Sequence, residues 1–583
     1  MRASRTESAP RPISLGALIA AAVTAALPAA AQLGPPVSLV PRPSASRPAA
    51  PAPAQAPASP KVAAPRGIEA QPLSPTDAAW AGTLGEDQGA FPVNMWRGTQ
   101  RSLVASALPL LQPSSSPALQ DLARRLLLSN AVSPAGPDAP DRPSLAASRL
   151  ERLMALGDVQ GALAMMDSLP ADPKGDGMDR MRVELRFAAN DAKGACQSVA
   201  DGIAHYKNAW WDRALVACQA LAGDGAKAAL GLSLLKEQKA PADAAFDALI
   251  DALGGRPRKI DKLADASPMR VALLAAAKQP LPAEVLAAAG PASLLAYASS
   301  ESVPAERRLA AAERAALLGA LAPDALGALY RQIQFKPEEQ TAALAEGKLP
   351  QDAKSRAILY DIARSGASTQ TREAAIAALF AEAKKRGAFP LAARLIAPAL
   401  SEFNPADGSS AFAADAARAL LVTGAADAAP AWIDSADSRA LAMLSSLALP
   451  SGGEGQDAAS LLHDTIAELA SRNAGAAPAQ ADLLVALAGA LDQPIGALDW
   501  SPLMAPPHDA KMPSTALWLD QQQAMTAKRV GETALTSILL VGAGEQLSLE
   551  PILLARAIAG LRAIGCESDA RALALEAAID AGI

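Results

Sequence analysis

Three ten-residue segments of the chain, GDVQGALAMM from Gly157, NDAKGACQSV from Asn190 and GDGAKAALGL from Gly223, align without gaps, and their first residues are 33 positions apart both times. Each opens on Gly or Asn, continues with Asp, and carries Ala five positions after the first residue. Gly or Asn tolerates the left-handed turn that ends a helix, Asp caps the next helix, and the small Ala lets a neighbour approach closely. A recurrence of this length and content restricts the chain to stacked helix–turn–helix units. Looser echoes of the same offset occur at Gly387 with Ala392, Gly424 with Ala429 and Gly565 with Ala570.

Composition agrees with helices. Of the 583 residues 51% are hydrophobic but only 3% are aromatic, and alanine fills the difference. Alanine has the best intrinsic helix propensity, and strand formers are scarce. The net charge of −6 is small for this length, and no cluster of Lys and Arg interleaved with aromatics appears along the folded part, which argues against a nucleic-acid partner.

The period and the small residue of the second helix resemble the tetratricopeptide family and its degenerate relatives, most clearly over 144–240. That resemblance implies an all-α, helical-hairpin repeat solenoid with a concave binding surface; the family's fuller Trp, Leu-Gly, Tyr and closing Pro pattern is missing, so none of its ligand-binding residues transfers. The whole chain also resembles exported, Ala-rich proteins of alphaproteobacterial type, which lend no activity.

The N-terminus reads as an export signal over 1–31: Arg2, Arg5 and Arg11 precede an apolar run from Ile13 to Leu27, and Ala29, Ala30 and Ala31 form a cleavage site before Gln32. The chain is therefore expected in the periplasm, with anchoring in the inner membrane by an uncleaved signal as the alternative. Residues 32–78 are dominated by Pro, Ala and Ser and read as a disordered, semi-rigid spacer. An irregular and helical N-terminal cap is expected over 79–143, the clear repeats over 144–240, and degenerate repeats, as one array or two subdomains, over 241–583. No later stretch is long and apolar enough to span a membrane; ALTSILLVGAG from Ala534 comes nearest.

Two of the three cysteines lie close together, Cys196 and Cys218. If Asp191 to Tyr206 is one helix and Ala209 to Leu221 the next, the turn centres on Lys207 and each cysteine stands eleven residues from it. Eleven residues is close to three helical turns, so both face the partner helix at the same height, within reach of a disulfide. The plainer reading is two buried thiols; export favours the bridge. Cys566 is left as a buried single thiol.

Catalytic signatures fail on context. GDGAKA from Gly223 has dinucleotide-loop glycines but follows a helix, where a strand is required. EGKLP at Glu346 lacks the upstream Gly and the Ser/Thr of a phosphate loop, and His205, His463 and His508 have no ligands at metal spacing. His205 and Tyr206 beside Trp210 and Trp211 read either as a ligand shelf or as a small core between hairpin tips. Glu301-Ser302 in YASSESVPAERR resembles the catalytic Glu-Ser pair of soluble lytic transglycosylases, but the Gly-Leu-Met-Gln segment is absent and Pro304 reads as the start of another array helix.

The expectation is an exported, non-catalytic scaffold or adaptor without cofactor or metal, binding an envelope protein or peptide; a peptidoglycan-acting enzyme and a purely structural periplasmic protein are the alternatives. The expected contact face is the inner, second-helix face of the repeats, through Met165, Gln197 and Gly231, each in the second helix of its repeat. Trp80, Phe91 and Trp96, in a Gly-rich segment, read either as a recognition surface or as the plug over the end of the array.

Overall fold

The computed structural model describes residues 78–583 apart from 170–174, 257, 264, 345–351, 449–454, 473–474 and 505–511. The expected leader, and the expected spacer up to its last residue, lie outside the described residues. Within them the chain is all-α: there are 27 α-helices and no β-strand, and strand-like pairing is confined to two isolated bridges, Leu84 with Ser129 and Gln100 with Ala135.

The first eight α-helices are α1 (Arg101–Ala107), α2 (Pro117–Leu128), α3 (Leu145–Leu156), α4 (Val159–Asp167), α5 (Asp176–Ala188), α6 (Ala192–His205), α7 (Ala209–Leu221) and α8 (Gly225–Glu237). The recurrent junctions behave as their residues dictate. Gly157, Asn190 and Gly223 have φ of +87°, +58° and +79°, in the left-handed region. Asp158, Asp191 and Asp224 then accept hydrogen bonds from the backbone N–H of Gly161, Gly194 and Lys227 at 2.9, 2.8 and 3.1 Å, each cap contributing about 1 kcal/mol. Ala162, Ala195 and Ala228, five positions into each segment, are buried in the hydrophobic core. The same left-handed turn recurs at Gly387, Gly424 and Gly565.

From α3 to α8 each helix packs on the next. The following helices fold back over this row: Pro268–Ala276 packs on α5 and α7, and Pro291–Ala298 on α3 and α5. Between α6 and α7, Cys196 and Cys218 form a disulfide with Cα atoms 5.5 Å apart, as the spacing about Lys207 predicts. Cys566 is a free, half-buried thiol that burial pushes up to about 11.

The end of the chain returns to its beginning. Helix Val530–Val541 packs on α1 and α2, and the last helix, Glu567–Asp580, packs on α2 as well as on Ser410–Val422 and Arg439–Ala448. Trp96 lies flat on Gly531, where a Cβ would come within 2.7 Å of the indole, and the Gly531 N–H donates to the Met95 carbonyl at 2.8 Å. Arg125 of α2 pairs with Asp569. Glu576 is buried at the N-terminus of α2, accepting from the Ser116 hydroxyl and, at 3.0 Å, from the Ala118 N–H. Loss of water around that carboxyl pushes it up to about 7, against the opposing hydrogen bonds.

A second buried carboxylate does the same work between the two rows. Glu184 of α5 accepts from the Met269 N–H at 2.8 Å, at the start of helix Pro268–Ala276, and burial likewise pushes it up to about 7. A buried cation holds the N-terminal segment. Arg149 of α3 donates to the carbonyls of Ala79, Ala81, Leu127 and Ser129 at 2.8, 2.7, 2.9 and 3.1 Å. It has no carboxylate partner among the described residues, and burial lowers it to about 10.

Candidate functional site

The caps at Asp158, Asp191 and Asp224 fix the rotation of α4, α6 and α8 about their axes, and so decide which residues face solvent. Seven positions after each junction residue stand Ala164, Gln197 and Leu230, and four further on Ser168, Asp201 and Leu234; all six are exposed. The geometry explains this: two residues beyond the buried Ala is about 200° around the helix, on the opposite side, and four more adds only about 40°. Each of the three second helices therefore turns the equivalent positions to solvent.

Of the residues expected on that face, Gln197 lies on it and donates to Asp201 at 3.1 Å. Met165 does not: it is one position further round, 0% exposed, and belongs to the core. Gly231 is similarly turned inward, where a Cβ would come within 2.4 Å of Val216 on α7. Met165 and Gly231 are therefore not solvent-facing; the exposed positions are Ala164 and Leu230, one residue before each. Leu230 and Leu234 are 61% and 46% exposed, an apolar pair one turn apart on α8. Sequence reasoning passed over them because two leucines four apart on a helix are the usual mark of a buried stripe.

Beside this face, α4, α5 and α6 enclose a groove of about 670 Å³ lined by Met166, Arg182, Arg186, Lys193, Gln197 and Asp201. Arg182, Ser198 and Asp201 also border a second hollow of about 420 Å³, which runs on to Asp179, His205 and Tyr206. The groove is zwitterionic: Arg186 pairs with Asp191 at 3.0 Å and Arg182 with Asp179 at 3.4 Å. Such a lining offers both donors and acceptors and suits a peptide backbone with mixed side chains.

The other aromatic candidates serve packing. Phe91 and Trp96 are 4% and 7% exposed, and the Arg125 guanidinium covers the Phe91 ring at 5.5 Å. Both plug the seam between α2 and the end of the chain, which corrects their reading as a recognition surface; only Trp80, at 42%, is open to solvent. Trp211 is wholly buried, donates its indole N–H to Asp176 at 2.6 Å and stacks on Tyr206 at 5.3 Å, so this aromatic group is a core between hairpin tips.

Glu301 and Ser302 are exposed in a turn ahead of helix Ala305–Leu317, and neither borders the groove. His463 engages the Ile495 carbonyl at 3.1 Å, and His508 lies outside the described residues. Among the described residues no group of three His, Cys, Asp or Glu is placed to hold a metal ion, and no helix is long and apolar enough to cross a membrane. Comparison with family models, with curated proteins and with solved structures gives no match.

Proposed function

We propose that the chain is an exported helical-repeat scaffold of tetratricopeptide-like build, working without catalysis in the periplasm, and that it binds an envelope protein or peptide along the outer face of α4, α6 and α8. The observation that carries this reading is the equivalence of those positions: three helices with the same caps expose the same offsets, polar at Gln197 and Asp201 and apolar at Leu230 and Leu234. An apolar patch with a polar border is the anatomy of a protein interface, and large apolar side chains exposed together mark such surfaces. The disulfide between α6 and α7 supports an oxidising compartment. The Pro-rich stretch ahead of residue 78 is read as the spacer that sets the folded body away from the N-terminus.

A photo-crosslinking residue placed at Gln197 or Leu230 in cells tests the reading. Crosslinks to one envelope protein from both positions, and none from exposed Lys336 elsewhere on the molecule, are expected. Crosslinking indistinguishable among the three positions overturns the assigned face. Release of muropeptides from peptidoglycan by the purified chain, lost on Glu301→Gln, would assign it to the transglycosylase class instead.

A further inference from the structure

At the seam where the ends of the chain meet, five stretches remote in sequence surround a cavity of about 290 Å³. The larger part of its wall is apolar, made by Leu119 and Ala123 of α2, Leu153 of α3, Leu318, and Ile538 from the helix that returns to α2, all five buried, and Gln112, Ser114 and Gln120 add polar atoms to it. Protein interiors pack nearly as densely as organic crystals, so a space of this size between well-packed leucines is a built feature and sits at the lower end of ligand-pocket volumes.

The charged residues at its border are not equivalent. Asp121 is paired with Arg125 at 2.7 Å, and Arg124 with Asp158 at 3.1 Å. Arg394, on helix Phe389–Leu400, borders the same cavity, is exposed, and makes no ion pair or hydrogen bond among the described residues. The Arg394 guanidinium therefore borders the hollow without a hydrogen-bonded partner among the described residues, near enough to the buried Glu576 carboxyl for that group to feel its charge, while Asp121 and Asp158 are taken. A guanidinium fork is matched by a carboxylate, which it grips with two parallel N–H bonds.

We infer that this cavity binds a small carboxylate carrying an apolar chain, the carboxylate on Arg394 and the chain against Leu119, Leu153, Leu318 and Ile538. At roughly 30 Å³ per non-hydrogen atom the space takes about ten of them, the size of a medium-chain fatty acid. Because its walls come from both ends of the array, such a ligand would bridge the closure. The inference is independent of the outer face of α4, α6 and α8, which lies elsewhere.

Calorimetric titration of the purified chain with sodium octanoate, 1-octanol and inorganic phosphate tests it. Saturable 1:1 binding of octanoate is expected, with octanol and phosphate each at least about tenfold weaker, since each keeps only half of the recognition. Arg394→Gln, at an exposed position that leaves the fold intact, is expected to weaken octanoate at least about tenfold, the effect of losing a hydrogen bond to a charged group. Ala123→Leu, which fills the cavity, is expected to abolish binding with unchanged helical circular dichroism. No saturable octanoate binding, octanol or phosphate binding as well as octanoate, or full affinity in Arg394→Gln would each overturn the assignment.

Discussion

Replacing Glu576 by Gln should stabilise the packing of the last helix on α2 at alkaline pH. The carboxyl is 3% exposed, and burial raises it from 4.5 to about 7. In the unfolded chain it ionises near its ordinary value, so between about pH 4.5 and 7 the folded state holds a proton that the unfolded state has lost. Stability from this group is complete below the lower value and falls as pH rises through the upper one. A difference of about 2.5 pH units corresponds to about 3 kcal/mol, at 1.36 kcal/mol per unit. Arg394 opposes the shift and Asp580 adds to it, but desolvation dominates. The amide introduced by Glu576→Gln would keep an acceptor for the Ala118 N–H and a donor for the Ser116 hydroxyl while removing the charge. A chain of this many helices need not unfold in one step, so the readout should be local: hydrogen exchange of peptides covering α2, corrected for the pH dependence of intrinsic exchange. At pH 8 the variant should protect α2 up to about a hundredfold better than wild type, and near pH 4.5 the two should coincide. Equal protection at pH 8, or weaker protection in the variant at both pH values, would refute the argument that an unfavourably buried charge sits at the closure.

Removing the disulfide by Cys196→Ser with Cys218→Ser should cost about 3 kcal/mol in the chain-entropy model for a sequence separation of 22, read as faster exchange in α6 and α7 and nowhere else. Gly531→Ala places a methyl group against the Trp96 ring and should cost about 1–3 kcal/mol; Trp96→Phe in the same chain should recover part of it, a coupling visible in a double-mutant cycle by thermal melting. Arg149→Met leaves the carbonyls of Ala79, Ala81, Leu127 and Ser129 without that donor, and at about 1–3 kcal/mol for a stranded buried group it should release the segment ahead of Leu84 to limited proteolysis. Mass spectrometry of chain recovered from the periplasm should find Gln32 first; a retained Met1 in the cytoplasmic fraction would contradict export.

What was legible in the sequence is what is local. The Gly/Asn, Asp and Ala positions each act within one turn of helix, so the 33-residue interval locates the caps, and the equal spacing of Cys196 and Cys218 about Lys207 locates the disulfide. The contact face needed finer rotational accuracy than the pattern carries: one residue is 100° of helix, so Met165 and Gly231 fall inward while Ala164 and Leu230 face out. Closure was not legible at all. Ser116 and Glu576 are 460 residues apart, and neither carries a local pattern that names the other.

The central claim, that the outer face of α4, α6 and α8 recognises an envelope partner, is tested most directly by capture after crosslinking in intact cells, comparing wild type with Leu230→Glu/Leu234→Glu. Both leucines are exposed, so the double variant should fold with unchanged helical circular dichroism. The account predicts that a partner recovered with wild type is lost, or at least about tenfold depleted, with the variant. Undiminished recovery of the same partner by the folded double variant would contradict it.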